Sequence, residues 1–93
     1  MYTITYSDPV VLLNCARKAV AKGAKVKLYD DLINHRFGYR VGDDTSWMIT
    51  LTDLERASTD PAKKDLAELL KTPEGRLKVL GDGLFWDTVK NAS

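Results

Sequence analysis

Four short stretches of this chain alternate apolar and polar residues, and no other pattern limits its fold as strongly. Residues 2–6 read Tyr-Thr-Ile-Thr-Tyr, with Tyr2, Ile4 and Tyr6 in one phase. Residues 25–29 set Val26 and Leu28 in one phase. Residues 35–41 set His35, Phe37, Tyr39 and Val41 opposite Arg36, Gly38 and Arg40. Residues 46–52 set Trp47, Ile49 and Leu51 opposite Met48, Thr50 and Thr52. Side chains alternate across a strand, so each stretch predicts a half-buried strand with one apolar face. Strands of that kind build a sheet that is mostly antiparallel and covered on one side.

Helix signals fill the gaps. Ser7-Asp8-Pro9 joins an oxygen-bearing cap to a proline, which costs nothing in a first helical turn. The helix it opens runs to about Ala21, with Leu12, Cys15, Ala16, Ala19 and Val20 as its apolar stripe and Gly23 as its stop. Thr52-Asp53-Leu54-Glu55 fits a capping box. Thr59-Asp60-Pro61 repeats the cap-plus-proline signal for a helix to about Leu70, anchored by Leu66, Leu69 and Leu70. Thr72-Pro73-Glu74 opens a short helix to Leu80, which Gly81-Asp82-Gly83 breaks. Asp30–Asn34 and Gly42–Thr45 read as turns.

The predicted fold is therefore α+β: a mostly antiparallel four-stranded sheet in β-α-β-β-β-α-α order, with helices packed on one face. The connection through residues 8–24 is long enough for a crossover, so the first two strands can also pair in parallel. At 93 residues the chain reads as a single domain, residues 1–93, with no repeat or linker. No apolar run approaches a membrane span, and no basic-then-apolar leader opens the chain. One cysteine excludes an internal disulfide framework. A cytoplasmic protein is expected.

Catalytic constellations are hard to assemble from these residues. Cys15 and His35 are the only nucleophile–base pair on offer, and a core cysteine with a structural histidine accounts for both. One Cys and one His do not make a zinc site, and Asp30-Asp31 and Asp43-Asp44 fit turn chemistry better than a hard cation. Gly81-Asp82-Gly83 lacks the following Lys-Ser or Lys-Thr of a phosphate loop. The expectation is a non-enzymatic chain with no metal and no cofactor.

Surfaces then carry the function. Net charge is only +1, but residues 1–42 hold seven basic and three acidic residues, and residues 43–74 hold four basic and eight acidic ones. The strand face opposite the apolar phase collects Lys25, Lys27, Tyr29, Arg36 and Arg40 with Thr3, Thr5, Met48 and Thr50. If open to water, that face can track a phosphate backbone. Leu84, Phe85, Trp86 and Val89 near the chain end are a large apolar payload, suited to a protein interface or to docking on the sheet. Asp43, Asp44, Asp53, Glu55, Asp60, Asp65, Glu68 and Glu74 form an acidic run diluted by four cations.

The leading expectation is a small protein-binding module, of the kind phages and mobile elements encode as modulators or inhibitors of a host protein. A nucleic-acid binder using the basic face is the second reading. A self-associating subunit, a homodimer through the aromatic tail or an open sheet edge, is the third.

Overall fold

A computed structural model describes residues 2–81 of the chain. Its elements run β1 (Tyr2–Tyr6), α1 (Pro9–Ala21), β2 (Val26–Asp31), β3 (Arg36–Val41), β4 (Thr45–Thr50), α2 (Leu51–Ala57), α3 (Lys64–Leu70) and α4 (Pro73–Gly81). The architecture is α+β, as the alternation and cap signals predict.

The sheet order is β1-β4-β3-β2. Two hairpins join β2 to β3 and β3 to β4, so both of those pairs are antiparallel. β1 pairs β4 in parallel, with Tyr2 opposite Thr45 and Tyr6 opposite Ile49. A parallel pairing of β1 with β2 does not occur. The α1 crossover carries the chain to the far edge of the sheet, and two hairpins bring it back until β4 lies beside β1 in the same direction.

α1 starts where its cap predicts. The Asp8 carboxylate accepts a 2.9 Å hydrogen bond from the Val10 amide, and Pro9 occupies the first turn. Its inner face is Pro9, Leu12, Leu13, Ala16 and Ala19. Leu13 takes the place expected for Val20, which lies near the helix end and is exposed. α2 starts earlier than Thr52. Thr50 is its cap, accepting from the Asp53 amide at 3.1 Å while its hydroxyl donates to the Asp53 carboxylate at 3.0 Å. The chain leaves the sheet as soon as Leu51 N–H has found the His35 carbonyl at 2.9 Å, so Leu51 and Thr52 are helical. Residues 61–63 form a turn and not a helix start. Asp60 caps that turn through the Ala62 amide at 2.9 Å, and α3 follows from Lys64.

The core lies between one sheet face and the four helices. Tyr39 and Ile49 from the central strands meet Leu12, Leu13 and Ala16 of α1, Leu54 of α2, Leu66, Ala67 and Leu70 of α3, and Val79 of α4. Tyr6, Val26, Leu28, Phe37 and Trp47 pack at its margin in the predicted strand phase. Each fully buried Leu contributes about 1.5–3 kcal/mol relative to exposure. No helix among the described residues is long and apolar enough to cross a membrane.

Candidate functional site

The strand registers bring the sequence-selected cations together on the face away from the helices. Thr3, Ser46, Arg40 and Lys27 form one row across the sheet, and Thr5, Met48, Gly38 and Tyr29 form the next. Arg36 sits opposite Asp31 on one side and Thr50 on the other. Lys25 lies one residue before β2, where its carbonyl accepts from the Gly42 amide at 2.8 Å.

Assembly on one face does not leave these charges equally available. Arg36 donates to Asp31 at 2.6 Å and reaches across β4 to the Thr5 hydroxyl at 3.4 Å. Asp31 was expected in a turn, but β2 extends through it, and its carboxylate becomes the partner of Arg36. Hydrogen bonds from Arg36 and Asn34 hold that carboxyl down at about 2. Arg40 is tied to the Asp43 carbonyl at 2.6 Å. Among the described residues, no side-chain hydrogen bond or ion pair holds Lys25 or Lys27. The face is also not open throughout: Met48 and Ser46 at its centre are fully buried, and Arg36 crosses β4 beside them.

Asp30 points the other way, as strand alternation requires. It pairs with Arg76, a residue that composition and spacing gave no reason to select. Arg76 is 1% exposed. Its guanidinium donates to Asp30 and, at 2.8 Å, to the Leu70 carbonyl at the end of α3, and lies 5.4 Å over the Phe37 ring. Its own carbonyl accepts from the buried Tyr39 hydroxyl at 2.9 Å. This cluster clamps α3 and α4 onto the sheet.

The turn between β2 and β3 presents the most exposed apolar residues described. Leu32 is 71% exposed and Ile33 89%. The turn beneath them is built, not loose. Asp31 accepts from the Asn34 amide at 3.2 Å and from its side chain at 2.9 Å, besides Arg36. His35 closes the turn with φ 53°, a left-handed conformation that costs a non-glycine residue energy and needs such support. Sequence reasoning passed over Leu32 and Ile33 because they fall within Asp30–Asn34, read only as a connecting turn.

The remaining features are weaker. A polar hollow of about 270 Å³ lies among Ser7, Pro9, Asp53, Arg56, Ala57, Asp60 and Lys63, crossed by charges of both signs. Lys63 is already paired with Asp8 at 3.0 Å. A more apolar groove of about 320 Å³ runs along Cys15, Lys18, Ala19, Lys22, Ala24 and Trp47. Tyr6 stands beside Cys15, and burial followed by the Cys15 thiol pushes its hydroxyl up to about 12. Among the described residues no hydrogen bond joins Cys15 to His35, and no three His, Cys, Asp or Glu side chains converge as metal ligands. Members of the acidic run are engaged locally: Asp53 with Arg56 and Thr50, Asp60 in its turn, Glu68 with Lys71. Leu84, Phe85, Trp86 and Val89 lie outside the described residues.

Compared with protein-family models, with curated proteins and with solved structures, the chain matches none of them.

Proposed function

We propose that this chain is a small non-enzymatic protein-binding module whose β2–β3 turn inserts Leu32 and Ile33 into an apolar recess of a partner protein. The observation that carries this reading is the pair of adjacent aliphatic side chains, 71% and 89% exposed, on a turn held by the Asp31–Asn34–Arg36 network. Exposed single apolar residues are ordinary. A contiguous pair on a braced tip is an anchor with a preorganised backbone, so docking costs the ordering of two side chains but little further ordering of the turn. A phosphate-tracking role for the sheet face is less well supported, since Arg36 and Arg40 already have intramolecular partners.

The test is a nuclease-treated pull-down from native extract, comparing wild type with the Leu32→Ser/Ile33→Ser variant. The expected result is a stoichiometric protein that survives nuclease with the wild type and is lost with the variant, whose melting temperature stays unchanged. A partner retained by the variant would remove the turn from the interface. Material whose 260/280 nm absorbance ratio collapses with nuclease would favour the basic face instead.

A further inference from the structure

The sheet has two edges among the described residues, and they are built differently. β2 carries Lys27, Asp30 and Asp31, the kind of charge that discourages edge-to-edge pairing. β1 carries none. It is Tyr-Thr-Ile-Thr-Tyr, five residues of high strand propensity with no charge, proline or glycine. Tyr2, at the edge, is 65% exposed.

β1 also reads the same in both directions. Tyr2 mirrors Tyr6 and Thr3 mirrors Thr5 about Ile4. The backbone phase agrees with this symmetry. The Tyr2 amide donates to the Asp44 carbonyl at 2.7 Å, so the amides and carbonyls of Tyr2, Ile4 and Tyr6 face β4. Those of Thr3 and Thr5 face outward, because a strand residue directs its N–H and C=O to the same side and successive residues alternate.

We infer that β1 pairs antiparallel with β1 of a second copy of this chain, about a two-fold axis through Ile4. This register sets Thr3 against the partner's Thr5 and Thr5 against the partner's Thr3. Each outward amide then meets an outward carbonyl, making four backbone hydrogen bonds. A register shifted by one residue puts outward groups against groups already bonded to β4. The same register sets Ile4 against Ile4 and each tyrosine against a tyrosine, so Tyr2 gains a ring neighbour. Aromatic pairs and threonine pairs across strands are favourable. The axis stands perpendicular to the sheet, so both helix layers stay on one side of an eight-stranded sheet. Only the charged β2 edges remain outside, and the assembly closes as a dimer rather than a fibre.

A heterologous strand could use the same edge, but a second copy brings, by symmetry, an equally uncharged strand whose outward groups at Thr3 and Thr5 match those of the first. The inference is independent of the turn proposed above as a protein anchor, which lies at the β2 side of the sheet.

Two double variants test it by light scattering across a concentration series. Thr3→Lys/Thr5→Lys sets like charges opposite each other twice across the axis. Thr3→Glu/Thr5→Lys sets opposite charges there. Thr5→Lys is common to both, so its nearness to Arg36 cancels in the comparison. The wild type is expected to form a dimer whose fraction rises with concentration, the first variant to stay monomeric and the second to dimerise. Hydrogen exchange at the Thr3 and Thr5 amides of the wild type should slow as concentration rises, with the Leu28 amide, which faces outward at the β2 edge, unaffected. A monomeric wild type at the highest soluble concentration overturns the inference, as do two variants that behave alike.

Discussion

Asp30 and Asp31 show how far one residue step can separate two identical side chains. Both sit in β2, so one meets the buried Arg76 under the helices and the other meets Arg36 on the opposite face. Removing a partner from a buried pair is worse than removing the buried charge itself. Asp30→Ala takes the carboxylate from the buried guanidinium of Arg76 and should cost about 1.5–3 kcal/mol, below the range for a fully buried pair because Asp30 is half-buried and Arg76 keeps the Leu70 carbonyl. Arg76→Met should cost less, because a flexible apolar chain fills the site and Asp30 can turn to water. Urea midpoints of the two variants check the ranking; a larger loss for Arg76→Met would refute it. Asp31 makes the matching prediction in pH. Its folded carboxyl is held at about 2 against an ordinary 3.8. A lowered folded value stabilises fully above the unfolded value, and that share is lost as pH falls through about 2. The melting temperature of Asp31→Asn should therefore fall less steeply than that of the wild type between about pH 4 and pH 2.

At the scale of elements, the β3–β4 contact depends on a residue with no side chain. A Cβ at Gly38 would lie 2.0 Å from the Trp47 carbonyl oxygen and 2.9 Å from the Met48 Cα. Both are backbone atoms of the neighbouring strand, so relief means moving the strand and its ladder. Gly38→Ala should cost about 3 kcal/mol or more, at the upper end of overpacking penalties. A thermal melt within a degree of wild type would show that β3 and β4 have more room than this geometry allows. The helices depend more on their starts. Asp8, Thr50 and Thr72 each accept an amide hydrogen bond at the opening of α1, α2 and α4. α3 has no side-chain cap. It is held by its buried Leu66, Ala67 and Leu70 and by Arg76 at its last carbonyl, that of Leu70.

For the molecule as a whole, sheet order sets which parts open first. β3 and β4 are paired on both sides and supply Tyr39, Met48 and Ile49, all fully buried. β1 and β2 are bonded on one side only. Amide exchange in dilute solution should therefore be slowest in β3 and β4, with free energies near that of global unfolding, and faster at the outer amides of β1 and β2. Equal protection across all four strands at low concentration would contradict this order. The two proposed contacts lie at the more labile borders, one at the β2–β3 turn and one along β1, where docking disturbs the core least.

Local chemistry determined much of this protein. Alternation assigned the strand faces, and the Asp8-Pro9 and Thr72-Pro73 signals placed the starts of α1 and α4, because caps and pleats act within a few residues. The same alternation put Lys25, Lys27, Tyr29, Arg36 and Arg40 on one face. Tertiary structure decided the rest. Whether β1 lies beside β2 or β4 depends on how α1 packs across the sheet, and no local pattern encodes that. Whether a cation is free depends on the far end of its side chain. Arg36 and Arg40 found partners on β2 and in a turn, and Arg76 was buried by elements distant in the sequence. The mirror in Tyr-Thr-Ile-Thr-Tyr is visible in the residues, but only the parallel pairing with β4 shows which of its backbone groups face outward.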